Sequence, residues 1–134
     1  MKPAIPAALA AMMLAMPCAT AHAGDKVDVP VTLETNAQGQ VTRAYGMIAS
    51  ARNSADNQQL IGCYISVSDT MLRAGCEARN AAGVSTLCFS ANPSIVAAAQ
   101  AVGPDSYIDF NRDANGNCSG LYVANNSVNP VKQP

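Results

Sequence analysis

Four cysteines constrain this chain more than any other feature: Cys63, Cys76, Cys88 and Cys118. They are separated by 13, 12 and 30 residues. No C-x2-C pair is present and no His follows residue 22, so a zinc site built from these thiolates is disfavoured. An even number of cysteines in a small exported domain is typical of two disulfides.

The evenness depends on the N-terminal segment, which carries a fifth cysteine, Cys18. Lys2 is followed by an apolar run from Ala4 to Met16, and Ala21-His22-Ala23 has the form of a signal-peptidase site. We therefore predict a secretory signal peptide over residues 1–23, cleaved after Ala23, and a periplasmic or secreted protein. A membrane anchor is the alternative, but the apolar run is short for a bilayer. Lipidation at Cys18 is disfavoured by the preceding Pro17.

The predicted mature chain, residues 24–134, is long enough for one domain with a single core, and we expect its C-terminal tail from Val128 to fray. It carries seven basic and nine acidic side chains, a formal charge of −2. This balance provides no basic surface for nucleic acid. No second apolar segment is long enough to span a membrane.

Alternating polar and apolar residues predict a mainly β fold of class α+β, a small antiparallel sheet of about six to seven strands. Pro30 cannot donate a backbone hydrogen bond, so the first strand is expected at a sheet edge. The expected strands cover Val27–Leu33, Val41–Ser50, Gln59–Ser68, Leu72–Ala78, Val84–Ala91, Ser106–Asn111 and Cys118–Asn125.

One short helix is predicted over about residues 92–102. Asn92 is a good N-cap, Pro93 suits the first helical position, and Gly103-Pro104 ends the element. The helix is too short to be stable alone, so it has to pack on the sheet.

A hairpin with a two-residue loop at Asp69-Thr70 would place Cys63 opposite Cys76, and Val67 opposite Leu72, on one inward face. Cys88 and Cys118 both lie out of line with the apolar set of their strands. Parity therefore favours the disulfides Cys63–Cys76 and Cys88–Cys118. The rival pairing, Cys76–Cys88 with Cys63–Cys118, stays open because a turn at Ala81-Ala82-Gly83 would put Cys76 opposite Cys88.

The segment from Asp109 to Gly116 places oxygen-bearing side chains at alternate positions, which suggests a weak calcium site at Asp109, Asn111 and Asp113. The spacing fits an EF-hand poorly, since Asn111 and Tyr122 would occupy its first and twelfth places. A type I′ hairpin turn at Asn115-Gly116 explains the same residues, and we expect the turn, with no metal and no cofactor.

The mature chain lacks His, so Ser-His and Cys-His catalysis are excluded, and paired cysteines leave no thiolate nucleophile. A carboxylate-dependent hydrolase is the remaining enzymatic hypothesis. Its candidate residues are Asp56, Asp69, Asp105 and Asp109.

The composition favours a non-enzymatic binding or interaction protein of the bacterial envelope or extracellular space, such as an inhibitor or accessory factor. Its partner is expected to be another protein or an envelope component, and the alternative is a structural subunit of an envelope assembly. Tyr107 and Tyr122 should share one sheet face, which we expect to be core or half-buried beneath the helix. The candidate binding residues are Arg52, Asn53, Asp56, Asn57, Tyr107 and Tyr122.

Overall fold

A computed structural model describes residues 25–131 of the chain. The predicted signal peptide and its cleavage site lie outside these residues. The elements in chain order are β1 (Thr32–Thr35), β2 (Val41–Met47), α1 (Ile48–Asn53), β3 (Leu60–Ser68), β4 (Met71–Arg79), β5 (Ser85–Ser90), α2 (Pro93–Gln100), β6 (Tyr107–Arg112) and β7 (Cys118–Ala124). Within this part of the chain, no helix is long and apolar enough to cross a membrane.

The predicted class is confirmed: the protein is mainly β, with seven antiparallel strands in the described residues. The strands form two sheets, a four-stranded sheet in the order β1-β2-β6-β7 and a three-stranded sheet in the order β3-β4-β5. The main core includes buried residues of both sheets, among them Ile108 and Phe110 from β6 and Ile61 and Ala78 from the three-stranded sheet. Burial of these side chains against one another is the main stabilising contribution of a two-layer fold.

The β3–β4 hairpin has the predicted register, with Cys63 opposite Cys76, and the disulfides are Cys63–Cys76 and Cys88–Cys118. Cys76 also lies opposite Cys88, as the rival pairing required. The Cα atoms of Cys63 and Cys76 are only 4.1 Å apart. This short separation is typical of a non-hydrogen-bonded pair, in which side chains approach most closely, so Cys76 bonds to Cys63. Cys88 then reaches Cys118 and joins β5 of one sheet to β7 of the other.

The predicted helix is confirmed as α2. The Asn92 side chain accepts a hydrogen bond from the backbone N–H of Ser94 at 2.9 Å, and Pro93 opens the helix. Val96 and Ala99 are buried with Ala74 of β4, so α2 covers part of the three-stranded sheet that the main core leaves open.

Three sequence expectations need correction. The strand expected over Val41–Ser50 ends at Met47, because Ile48–Asn53 forms the helix α1, which buries Ala49, Ser50 and Ala51. Of the strand expected over Val27–Leu33, only Thr32 and Leu33 form strand, in β1, which continues to Thr35 and does lie at a sheet edge. Val67 and Leu72 are not inward: they are 74% and 46% exposed, because the hairpin tip extends beyond the core.

Three hairpin turns have the same sequence pattern, Asx-Ala-x-Gly: Asn36–Gly39, Asn80–Gly83 and Asp113–Gly116. In each turn the first side chain accepts hydrogen bonds from the backbone N–H groups two and four residues later. Each glycine has φ between 75° and 85°, the left-handed region that favours glycine. Asn115 lacks positive φ, so the predicted turn at Asn115-Gly116 is present but is not of type I′.

The first and last described segments lie side by side. The backbone N–H of Val27 donates to the carbonyl of Val128 at 3.0 Å, and Lys26 Nζ donates to the carbonyl of Ser127. Asn129 is buried, and its Nδ2 donates to the carbonyls of Asp105 and Ala124. These bonds fasten the segment that follows β7 to the rest of the domain.

Candidate functional site

Strand register places polar and aromatic side chains together on the outer face of the four-stranded sheet. Thr32, Tyr45, Asp109 and Tyr122 form one row across β1, β2, β6 and β7. Arg43 and Tyr107 lie on the same face because side chains alternate along a strand. We call this surface the tyrosine face and define it by Arg43, Tyr45, Tyr107, Asp109 and Tyr122.

Arg43 lies at the centre of the tyrosine face and contacts two carboxylates and one ring. Its Nε and Nη2 atoms donate to the two carboxylate oxygens of Asp109 at 2.9 and 2.6 Å. Its Nη1 donates to Glu34 at 3.2 Å, and its guanidinium carbon lies 4.9 Å from the centroid of the Tyr45 ring. The hydrogen bond to Asp109 is the main cause that raises the pKa of Arg43 above its usual range. Bidentate pairing of this kind fixes orientation as well as charge.

Tyr107 and Tyr122 contact each other edge to face, with ring centroids 6.2 Å apart. Tyr107 is half-buried, as expected, whereas Tyr122 is 61% exposed and is not core. The helix α2 packs on β3, β4 and β7 and leaves the Tyr122 ring open to solvent. Partial burial, followed by the nearby charge of Asp109, raises the pKa of Tyr107.

The loop residues of the predicted binding surface lie on a separate part of the chain. Arg52 and Asn53 end α1, where Arg52 Nη1 donates to the carbonyl of Pro104 and Asn53 Nδ2 donates to that of Val131. Asp56 accepts hydrogen bonds from Gln58 and Gln59, chiefly from the Gln59 side chain, and these lower its pKa. Asn57 adopts φ of 55° in the same loop. The described bonds of Arg52 and Asp56 do not reach Tyr107 or Tyr122.

The residues of the calcium hypothesis have other contacts. Asp109 receives the Arg43 guanidinium, and Asp113 accepts from the backbone of Asn115 and from both backbone and side chain of Asn117. Asn111 lies on β6 and is exposed. Among residues 25–131, no three His, Cys, Asp or Glu side chains group as metal ligands would.

The candidate carboxylates of the hydrolase hypothesis are spread over different elements. Asp56 lies in the loop after α1, Asp69 in the β3–β4 turn, Asp105 before β6 and Asp109 within it. A general acid needs a raised pKa, whereas that of Asp56 is lowered. Asp105 lines an open groove of about 560 Å³ together with Lys26 and Asn129, and its buried Oδ1 accepts no hydrogen bond from the described residues.

Sequence reasoning missed Arg43 and did not place Tyr45 with the other tyrosines. The hairpin of β6 and β7 is local and puts Tyr107 and Tyr122 on one face by alternation alone. Arg43 and Tyr45 join them only through the pairing of β2 with β6, whose partners Tyr45 and Asp109 lie 64 residues apart in the sequence. The chain matches no protein-family model, no curated protein and no solved structure.

Proposed function

We propose that this protein is an exported, non-enzymatic binding protein of the bacterial envelope or extracellular space, and that it binds through the tyrosine face. The observation that carries the proposal is the gathering of three of the four tyrosines of the chain on one solvent-open sheet face. Tyrosine combines a rigid apolar ring with a hydroxyl group, so it offers contact area at a low entropic cost. The two disulfides are compatible with an oxidising, extracytoplasmic compartment.

The contacts that orient Arg43 support a role in binding. Both its carboxylate partners and the Tyr45 ring hold it in one orientation, and Asp109 is itself largely shielded, with a side chain 15% exposed. A surface that is ordered before binding loses little conformational entropy when a ligand arrives. The Arg43 side chain remains 39% exposed, so it is accessible to a ligand.

The ligand class that fits best is a neutral glycan chain of the envelope. A sugar ring offers C–H groups to the tyrosine rings and hydroxyl groups to the guanidinium and carboxylates. One guanidinium faces two carboxylates, Glu34 and Asp109, so the charge of the surface does not favour an anionic ligand.

The proposal can be tested by titrating the disulfide-bonded protein with neutral tetrasaccharides, one of β-1,4-linked N-acetylglucosamine and one of β-1,4-linked glucose. Amide and ring NMR signals of Tyr45, Tyr107 and Tyr122 should shift. Tyr122→Ala should weaken binding at least about tenfold, since exposed aromatic anchors dominate such surfaces. Its free energy of unfolding should hardly change, because the ring is 61% exposed.

Tyr64→Ala is the matched control, because Tyr64 is 41% exposed but lies on the other sheet. It should leave saccharide affinity unchanged. Signal shifts that cluster away from the tyrosine face, or equal losses for both variants, would refute the proposal. Suppose instead that the protein captures a protein partner from an envelope extract and that the Tyr122→Ala variant does not. The tyrosine face would then remain the proposed binding surface, but its ligand would be a protein and not a glycan.

A structural subunit of an envelope assembly is the second candidate, and the long unpaired edge of β3 favours it. No observation favours a hydrolase. Asn replacements at Asp56, Asp69, Asp105 and Asp109, assayed against peptidoglycan, are the test of that third hypothesis.

A further inference from the structure

Within residues 25–131, two of the four sheet edges, those of β1 and β5, are protected. The edge strand β1 has only four residues, follows Pro30 and contains a register shift between Glu34 and Thr35. The edge of β5 is covered, because the N–H of Phe89 donates to the carbonyl of Gly116 at 3.1 Å and Arg112 Nε donates to that of Leu87. These are the usual devices that prevent edge-to-edge pairing.

The remaining edges, those of β7 and β3, lack these devices, and helices contact both strands. The longer of the two is β3. The strand has nine residues, LIGCYISVS, with no proline and no charged side chain. Ser68 and Met71 close a two-residue turn as a hydrogen-bonded pair, and the 4.1 Å Cα separation marks Cys63 and Cys76 as a non-hydrogen-bonded pair. Alternation then directs the backbone N–H and C=O groups of Ile61, Cys63, Ile65 and Val67 away from β4. Within residues 25–131, these outward groups have no backbone hydrogen-bond partner.

We propose that two copies of this protein associate by antiparallel pairing of β3 with β3, which joins the two three-stranded sheets into one six-stranded sheet. Tyr64 is the central residue of the strand and would face Tyr64 of the second copy across the two-fold axis. The hydrogen-bonded pairs would then be Ile61 with Val67 and Cys63 with Ile65. All four residues have their backbone groups directed outward, so the register satisfies the requirements of an antiparallel ladder.

The Tyr64 side chain at the centre of β3 does not cover the edge of the strand. The Tyr64 ring leans away from the edge over Gly75, where it lies within 2.6 Å of the position that a Cβ would take. It contacts Phe89 edge to face, with centroids 6.5 Å apart. In the dimer, the two Tyr64–Phe89 pairs would lie in one row on the outer face of the joined sheet. Val67, 74% exposed, would gain an apolar neighbour in Ile61 of the second copy.

Charge complementarity favours a second copy over another extended peptide. Glu77 lies opposite Gly62, and Arg73 lies opposite Ser66. In the proposed register Gly62 faces Ser66 of the second copy, so Glu77 of one copy and Arg73 of the other stand in one row. Three strand spacings, about 14 Å, separate their Cα atoms, with only the small residues Gly62 and Ser66 between them. The row occurs twice by symmetry, and a two-residue slip abolishes both.

The test is the molecular mass of the disulfide-bonded protein in solution, measured by sedimentation equilibrium over a concentration series. A monomer–dimer equilibrium is expected. Val67→Pro removes an outward N–H that the hairpin does not use, and it should weaken the dimer at least about tenfold. Leu72→Pro is the matched control, because Leu72 lies opposite Val67 on β4 and its N–H points away from the β3 edge. That variant should dimerise normally.

Charge reversal tests the register without proline. At low ionic strength, Glu77→Arg should weaken the dimer by about two- to fivefold, because it puts a like charge into the row of Arg73 of the second copy at both symmetry-related positions, and adding Arg73→Glu should restore affinity. Tyr122→Ala should leave the dimer unchanged, which separates this inference from saccharide binding. A monomer at all concentrations up to about 1 mM, a dimer insensitive to Val67→Pro, or a failure of the double reversal to restore affinity would each overturn the proposal.

Discussion

Tyr64 and Gly75 form a cross-strand pair in which the Tyr64 ring occupies the space that a side chain at position 75 would fill. The two residues are directly opposite in the β3–β4 hairpin, and the Tyr64 ring lies over the glycine. Glycine in a strand is costly, because it loses more backbone entropy than other residues and has no side chain to pack. The ring covers the backbone of Gly75, which is buried, and contacts Phe89.

We predict that Gly75→Ala lowers the free energy of unfolding by about 1 kcal/mol, because the new Cβ displaces the Tyr64 ring. In a Tyr64→Ala background the same change should be neutral or stabilising, since the space is then empty. Chemical denaturation of the four proteins of this double-mutant cycle measures the coupling. An equal cost of Gly75→Ala in both backgrounds would contradict the pairing.

Asp113 is the acidic member of the three Asx-Ala-x-Gly turns. Hydrogen bonds from the side chain and then the backbone of Asn117 are the main causes that lower its pKa. A carboxylate whose pKa is lower in the folded state stabilises the fold above its unfolded pKa, and this contribution is lost as the pH falls through the folded value. The other two turns carry Asn and have no such titration.

We therefore expect Asp113→Asn to keep the turn, since an amide oxygen accepts the same backbone bonds, and to reduce the loss of stability in acid. Asn80→Asp should do the reverse and steepen that loss. Thermal unfolding between about pH 2 and pH 6 would compare them with the parent protein. Identical acid profiles for all three proteins would exclude a role of the turn carboxylate.

The two helices differ in how much of their formation is local. The helix α2 has an N-cap side chain, a proline at its start and an apolar stripe, so sequence alone predicted it. The helix α1 has Met47 at its N-cap and no side-chain capping bond. Its six residues are stabilised by burial of Ala49, Ser50 and Ala51, which depends on the packing of β2 and β3. A helix stabilised in this way has no capping residue or apolar periodicity in its six residues from which the sequence could predict it.

Asn92→Ala should destabilise the protein by about 1 kcal/mol, because the backbone N–H of Ser94 loses its acceptor. Ser94→Ala is the control, since it keeps that N–H and changes a neighbouring exposed position. Denaturation midpoints report both effects. A cost for Ser94→Ala as large as that for Asn92→Ala would show that the cap is not the cause.

At the scale of the whole molecule, the sequence predicted strands, local hairpins and the pairing of cysteines, but not the division into two sheets. Alternation gives the face of a residue within its own hairpin, as it did for Cys63 and Cys76. It does not tell which hairpins become neighbours. The pairing of β2 with β6 joins two different hairpins, so alternation does not predict it. Tyr107 and Tyr122, which share one hairpin, could therefore be predicted to lie on one surface, whereas the addition of Arg43 and Tyr45 to that surface could not.

The two disulfides should contribute unequally to stability. Cys63–Cys76 closes 13 residues within one hairpin, whereas Cys88–Cys118 closes 30 residues and joins the two sheets. Chain entropy alone gives about 3 kcal/mol for the first and about 3.6 kcal/mol for the second. Both members of the second pair are also buried.

We expect the double replacement Cys88→Ala/Cys118→Ala to lower the free energy of unfolding more than Cys63→Ala/Cys76→Ala does. Denaturant unfolding of the two variants measures the difference. Circular dichroism should show that the Cys63→Ala/Cys76→Ala variant, which lacks the disulfide within the hairpin, retains native strand content. A larger loss from the Cys63–Cys76 replacement would mean that the joining of the sheets does not limit stability.

The contact of Val27 with Val128 makes this fold suitable for circular permutation. A short flexible linker between the first and last described segments would close the chain with little entropic cost, because the two segments are already hydrogen-bonded. New ends could be opened in the exposed Asn80–Gly83 turn, between strands β4 and β5. The permuted protein should oxidise to the same two disulfides. That result would show that the architecture does not depend on the order in which the strands are synthesised.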